Sequence, residues 1–158
     1  MLNPIKEIVK WQRDAGNAAK PYDDFLESSF QIEEALEGLK DIPYLQVRLH
    51  SEGESIEELQ TPKECSRQIV RLAMMDNKDP LDAVDRLDKA CDAIIFAIGS
   101  MTKLGLDHHA ITKALNIVND ANKAKLGMSR DAEGKLLKPE GFVGPEVKLQ
   151  ELLDGIRK

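Results

Sequence analysis

The sequence predicts an all-α fold, and three observations carry that prediction. Apolar residues recur at helical spacing along most of the chain. Ala, Leu, Lys and Glu are abundant while aromatics make up only 4%, a bias toward helix formers and away from strand formers. Helix-start signals of the Thr-Pro and Asp-Pro kind precede several of the apolar runs. A length of 158 residues suits a single domain over 1–158 with a real core. With 42% apolar and 32% charged residues, the chain reads as folded rather than disordered.

The elements follow in order. Residues 3–14 carry Ile5, Ile8, Val9 and Trp11 on one face, and Gly16 and Asn17 end the run. Pro21 leads into a second helix over roughly 22–40, with apolar positions at Phe25, Phe30, Ile32, Ala35, Leu36 and Leu39. Residues 41–60 are ambiguous: Tyr44, Leu45, Val47 and Leu49 suit a short strand or a helical turn, and Gly53 marks a break. This stretch is read as part of an insertion, 41–75, between core helices. Thr61-Pro62-Lys63-Glu64 is a helix start in which Thr61 caps and Glu64 completes a capping box. Ile69, Val70, Leu72 and Ala73 are that helix's apolar positions.

Asp79-Pro80-Leu81-Asp82 opens the next helix, expected over about 80–103. Its segment Ala93 to Ile98 reads as buried on most sides, and Cys91 as a core residue. Gly105 ends the helix and Asp107 caps another over about 108–124, whose first-turn His108 and His109 read as exposed. Residues 126–144 are rich in Gly, Lys and polar side chains and read as an ordered or ligand-responsive loop. Pro145 opens a final helix carrying Val147, Leu149, Leu152 and Leu153.

Charge and cysteine usage narrow the function classes. Against 28 acidic residues stand 22 basic ones, for a net charge of −6. That balance disfavours a nucleic-acid partner, which needs clustered Lys and Arg. Cys65 and Cys91 show no CxxC spacing and read as reduced thiols of a cytosolic protein. The N-terminus has no long apolar run of the signal-peptide kind. No apolar stretch approaches the roughly 20 residues of a membrane span. The expectation is a soluble cytoplasmic protein with no membrane partner.

The acidic residues carry the functional signal. Glu33, Glu34 and Glu37 lie three and four apart on one helix, within one broad sector. Asp85, Asp88 and Asp92 form a second stripe at the same spacings. Like charges so placed repel, which a cation among them would relieve. Solvated helix faces are the competing reading for each cluster. No His lies within either cluster, and oxygen-only donors select Mg²⁺, with Mn²⁺ as the alternative, over Zn²⁺.

Glu-Glu-x-x-Glu on one helix, followed by an Asp-bearing apolar helix, resembles the MazG-like all-α nucleoside triphosphate pyrophosphohydrolases. Trp11 before Ala15-Gly16 resembles the end of that family's N-terminal helix. Residues 88–107, DKACDAIIFAIGSMTKLGLD, resemble a stretch of its phage and bacterial phosphoribosyl-ATP pyrophosphohydrolase-like branch. Asn122-Lys123-Ala124-Lys125, then Asp131, Gly134-Lys135, Lys138, Phe142 and Pro145, resemble that branch's tail. At the position three before Asp92, where the motif has glutamate, stands Lys89, and Asp88 fits the branch's DxxxD form.

The resemblance implies a helical bundle with a core of about four helices, additional short helices and a polar C-terminal loop. It implies Mg²⁺-dependent cleavage of a (d)NTP or related nucleotide to the monophosphate and pyrophosphate. Metal ligands would be Glu34, Glu37, Asp88 and Asp92, with Glu33 or Glu34 accepting a proton from the attacking water. Asn122, Lys125, Lys138 and, with less support, Lys135 would meet the sugar and phosphates. Trp11 is a candidate to stack on the base, although core packing or a subunit interface is the favoured reading of it. The assembly implied is a homodimer or homotetramer. Two alternatives stand beside this reading: a phosphoribosyl-ATP pyrophosphohydrolase, and a non-catalytic helical oligomerisation module.

Overall fold

The computed structural model describes residues 3–39, 55, 57, 59–76 and 82–156. Among these the regular elements are helices, with one isolated β-bridge, so the fold is all-α as expected. Helix α1 spans Pro4–Asp14, α2 Asp24–Glu37, α3 Pro62–Asp76, α4 Ala83–Lys103, α5 His108–Lys123 and α6 Glu146–Ile156. A 3-10 turn, Asn17–Ala19, follows α1.

The sequence explains where these helices begin. The Asn3 side chain accepts from the amides of Ile5 and Lys6, at 3.0 and 3.2 Å, and Pro4 fits the first turn of α1. Asp23 caps α2 by accepting from Leu26 N–H at 3.0 Å. At α3 the expected capping box forms reciprocally. Thr61 N–H donates to the Glu64 carboxylate at 2.8 Å, and Glu64 N–H donates to Thr61 Oγ1 at 3.2 Å. Asp107 caps α5 through Ala110 N–H at 2.9 Å, after Gly105 turns the chain at a φ of 91°. The start of α4 expected at Asp79-Pro80 and the ambiguous stretch 41–54 lie outside the described residues.

The chain divides into two compact units. One is Tyr22–Asp82, which takes in α2 together with the segment expected as an insertion. There α2 packs on α3 over a core of Leu36, Leu59 and Cys65, with Ile32, Ile69 and Leu72 against it. The second unit joins Met1–Pro21 to Ala83–Lys158. Its core of Leu106, Ala110 and Ala114 is closed by Ile111 and by Leu149, Leu152 and Leu153 of α6. Helix α1 lies along α5, and the Lys123 ammonium reaches the Glu7 carboxylate at 3.0 Å across that seam.

Helix α4 corrects one expectation. The segment Ala93 to Ile98 is exposed rather than buried, with Ile95 at 64% and Phe96 at 76%. Cys91 on the same helix is also exposed and is not a core residue. Apolarity runs around most of α4, more than one neighbour can cover. Near its C-terminal end Met101 lines a cavity of its own unit. Among the described residues no helix is long and apolar enough to cross a membrane.

The polar tail is ordered by its own hydrogen bonds. Arg130 and Leu136 form the antiparallel bridge, and Leu137 N–H donates to Ser129 O at 2.9 Å. The Asp131 carboxylate closes the turn by accepting from the amides of Glu133 and Lys135, at 3.0 and 2.9 Å. Gly134 takes a φ of 81° there, and a Cβ on it would come within 2.8 Å of Lys20 Nζ. The Arg130 guanidinium ties the hairpin to the end of α1, donating to the carbonyls of Ala15 and Gly134 and to Asn17 Oδ1.

Candidate functional site

Helix α5 sets the geometry of the site. Asn119 and Asn122 are three apart, and Lys125 follows three further on, so the three lie along one face running toward the helix C-terminus. Lys125 Nζ donates to Asn122 Oδ1 at 2.8 Å. The tail then brings Phe142 beneath two cations: Lys125 Nζ lies 5.4 Å and Lys138 Nζ 5.5 Å from its ring centre. Beside this platform is a cavity of about 390 Å³ enclosed by α1, α5, α6 and the end of α4. Trp11 and Asn122 stand in its wall with Met101, Val118 and Leu152. All four residues expected to bind substrate therefore converge in one unit. Trp11 and Asn122 line the cavity, Lys125 bonds Asn122, and Lys138 shares Phe142. Lys135 is held in the hairpin turn by its backbone.

Asn119 escaped the sequence reading. It lines the same cavity at 2% exposure, and among the described residues neither its amide nitrogen nor its amide oxygen has a hydrogen-bond partner. The indole N–H of Trp11 is likewise buried without a partner. The signal available in sequence was a polar residue on the otherwise apolar stripe of Ala114, Leu115 and Val118. Phe142 was noted for its place in a motif, and its role as a two-cation platform was not.

The carboxylates fall into the two units. Glu33, Glu34 and Glu37 belong to Tyr22–Asp82, and Asp88 and Asp92 to the other unit. Glu33 points into the α2–α3 interface, where its carboxylate accepts from Arg67 at 2.7 Å. The same guanidinium donates to Ser66 Oγ at 2.9 Å and lies 5.1 Å over the Phe30 ring. Of the two expected proton acceptors, Glu34 is the exposed one, as is the expected ligand Glu37. On α4, Lys89 Nζ sits 2.9 Å from Asp88 and 3.5 Å from Asp92. The hydrogen bond that Lys89 donates to Asp88, with the charges of both aspartates, holds the Lys89 ammonium above its ordinary pKa. The residue that replaces the motif's glutamate thus supplies a resident cation to both expected ligands. Among the described residues, no three His, Cys, Asp or Glu side chains gather into a metal-holding group.

The remaining titratable groups have structural roles. Burial pushes the Cys65 thiol above its ordinary pKa, as suits an inert core cysteine. His108 and His109 are exposed, as expected, with ring centres 4.0 Å apart. No protein-family model matches the chain, and neither the curated proteins nor the solved structures contain a match to it.

Proposed function

We propose that the protein is a Mg²⁺-dependent nucleotide pyrophosphohydrolase, cleaving a nucleoside triphosphate or related nucleotide to the monophosphate and pyrophosphate. One observation carries this reading. Trp11 and Asn122 line one apolar cavity, Lys125 bonds the Asn122 side chain in its wall, and Lys138 shares the Phe142 ring with Lys125. An apolar recess beside fixed ammonium groups suits a ligand with a flat apolar end and an anionic end. Lys125 and Lys138 would neutralise phosphate oxygens, Asn122 would orient the sugar, and Trp11 would stack on the base.

On α2, Glu34 and Glu37 would hold Mg²⁺ or Mn²⁺, as would Asp88 and Asp92 on α4, each pair taken within its own unit. Their donors are all carboxylate oxygens, which suit a hard cation, and the α4 pair already draws the Lys89 ammonium. Once bound, the ion supplies charge neutralisation and a more acidic water. Glu34 would accept the proton of the water attacking the α-phosphorus, as pyrophosphate departs. Glu33 would act by holding α2 on α3 through Arg67. The exposed apolar residues of α4, Leu87, Ile94, Ile95 and Phe96 among them, support the homodimer or homotetramer.

Incubation with a panel of NTPs, dNTPs and phosphoribosyl-ATP plus Mg²⁺, with pyrophosphate as the readout, tests the proposal. Release is expected from at least one, and Glu37→Gln and Asp92→Asn should abolish it while keeping the helical CD spectrum. No release from any nucleotide would refute the enzyme. The ion pairs of Lys89 favour a second reading, a non-catalytic helical module. That module would show no rise in melting temperature with Mg²⁺ and a non-hydrolysable nucleotide, whereas the enzyme must show one.

A further inference from the structure

The wall of the cavity in the unit of Met1–Pro21 and Ala83–Lys158 contains three polar atoms with no hydrogen-bond partner among the described residues. They are Asn119 Nδ2, Asn119 Oδ1 and Trp11 Nε1. Each is buried, and Asn119 as a residue is 2% exposed. A buried amide without partners is disfavoured by the full loss of its hydration. An apolar residue of similar size would fill the position without that loss. Ala114, Leu115, Val118 and Leu152 offer no donor or acceptor side chain, and the wall's polar Gln12 and Asn122 turn their amide oxygens to Asn17 and Lys125 rather than to Asn119. What the position does offer is a donor and an acceptor side by side on one planar group, with a further donor from the indole.

We infer that Asn119 reads the hydrogen-bonding edge of a nucleobase held in this cavity, which makes it the specificity-determining residue of the site. A carboxamide matches the adjacent donor and acceptor that a nucleobase carries on its edge, and Asn forms such paired bonds with adenine. The cavity's apolar walls and the Trp11 ring suit the faces of a flat heterocycle. Its volume of about 390 Å³ falls within the range of small-ligand pockets. The order along α5 and the turn that follows it sets the polarity of the ligand: base at Asn119, sugar at Asn122, phosphates at Lys125. The inference rests on the nucleotide reading above, and deepens it by assigning base recognition to a residue that the family resemblance does not supply.

Trp11 is the chain's one tryptophan, so its fluorescence reports on this cavity alone. Titration with uncharged nucleosides (adenosine, guanosine, cytidine, uridine and thymidine) isolates the base from phosphate and metal. At least one nucleoside is expected to quench Trp11 saturably, and Asn119→Leu should weaken that nucleoside about tenfold or more. The same variant should melt no lower than the wild type, because it removes an unsatisfied amide. Asn119→Asp, which keeps the shape and loses the donor, should change the order of preference among the nucleosides. Equal quenching in wild type and both variants, with pyrophosphate still released from nucleotides, would overturn the inference alone. If nucleosides do not quench and Asn119→Leu melts lower, the amide is a structural group satisfied by water, and the inference falls. If neither nucleosides nor nucleotides bind the wild type, the inference and the nucleotide reading fall together.

Discussion

Replacing Glu33 with Ala would strip the counter-charge from a buried guanidinium. Arg67 and Glu33 are 8% and 5% exposed and meet at 2.7 Å. The weak energetics of surface ion pairs, about 0–1 kcal/mol, therefore do not apply. Breaking a buried pair from one side costs about 3–5 kcal/mol, because the remaining charge stays desolvated. Arg67 keeps its contacts with Ser66 Oγ and the Phe30 ring, which places the expected loss near the lower end, about 3 kcal/mol. Urea denaturation followed by far-UV CD measures it as a lower midpoint at constant slope. Glu37→Ala, on the exposed surface of the same helix, should change stability by no more than about 0.5 kcal/mol. The double variant Glu33→Ala, Arg67→Met removes both charges and should recover part of the loss. A Glu33→Ala loss below about 1 kcal/mol, or a double variant no more stable than the single, would refute the reasoning. Glu33→Gln that loses turnover at unchanged stability would return Glu33 to catalysis.

Two further expectations concern charge. Lys89→Ala should tighten Mg²⁺ binding by Asp88 and Asp92, by at most about fivefold because the pair is solvent-screened; calorimetric titration checks this, and unchanged or weaker binding would refute it. Asp107 carries the pH prediction. Its hydrogen bond from Ala110 N–H holds its carboxyl below the ordinary value in the folded chain. The unfolded chain therefore takes up that proton first as pH falls. The stabilisation is present in full above the ordinary carboxylate range and is lost as pH drops through that range toward the lowered value. Asp107→Asn, which caps without a charge, should flatten the acid limb of a melting-temperature profile, and an unchanged limb would refute the assignment.

The helices were legible because their ends are written locally. Thr61, Pro62 and Glu64 announce α3 within four residues, and the capping box forms as those residues dictate. Asp107 and Gly105 do the same for the junction of α4 and α5. What could not be read is whatever depends on distant chain. Glu33 looked equivalent to Glu34 and Glu37 by spacing, and only Arg67, 34 positions away, separates it from them. The apolarity of Ala93 to Ile98 signals a need for cover without saying what provides it, so exposure there was not foreseeable. Trp11, Asn122, Lys125 and Lys138 are picked out by a family resemblance, whereas the meeting of Trp11 with Asn122 at one cavity depends on the packing of α1 on α5, and that of Lys125 with Lys138 on the path of the tail past Phe142. Asn119 was overlooked because a single Asn in a helix is ordinary until its neighbours are known to be apolar.

The tether made by Arg130 has a consequence for how the molecule responds to salt. Its acceptors are two backbone carbonyls and a side-chain amide, with no carboxylate among them. Mobile ions screen attraction between net charges far more than they screen a short bond to a neutral oxygen. The hairpin therefore keeps its place on the end of α1 as ionic strength rises. On the seam between α1 and α5 the Lys123–Glu7 pair, a contact between net charges, is the one that salt screens. Brine thus acts unequally on one unit: it weakens a charge contact between two helices while the tail beside them stays anchored.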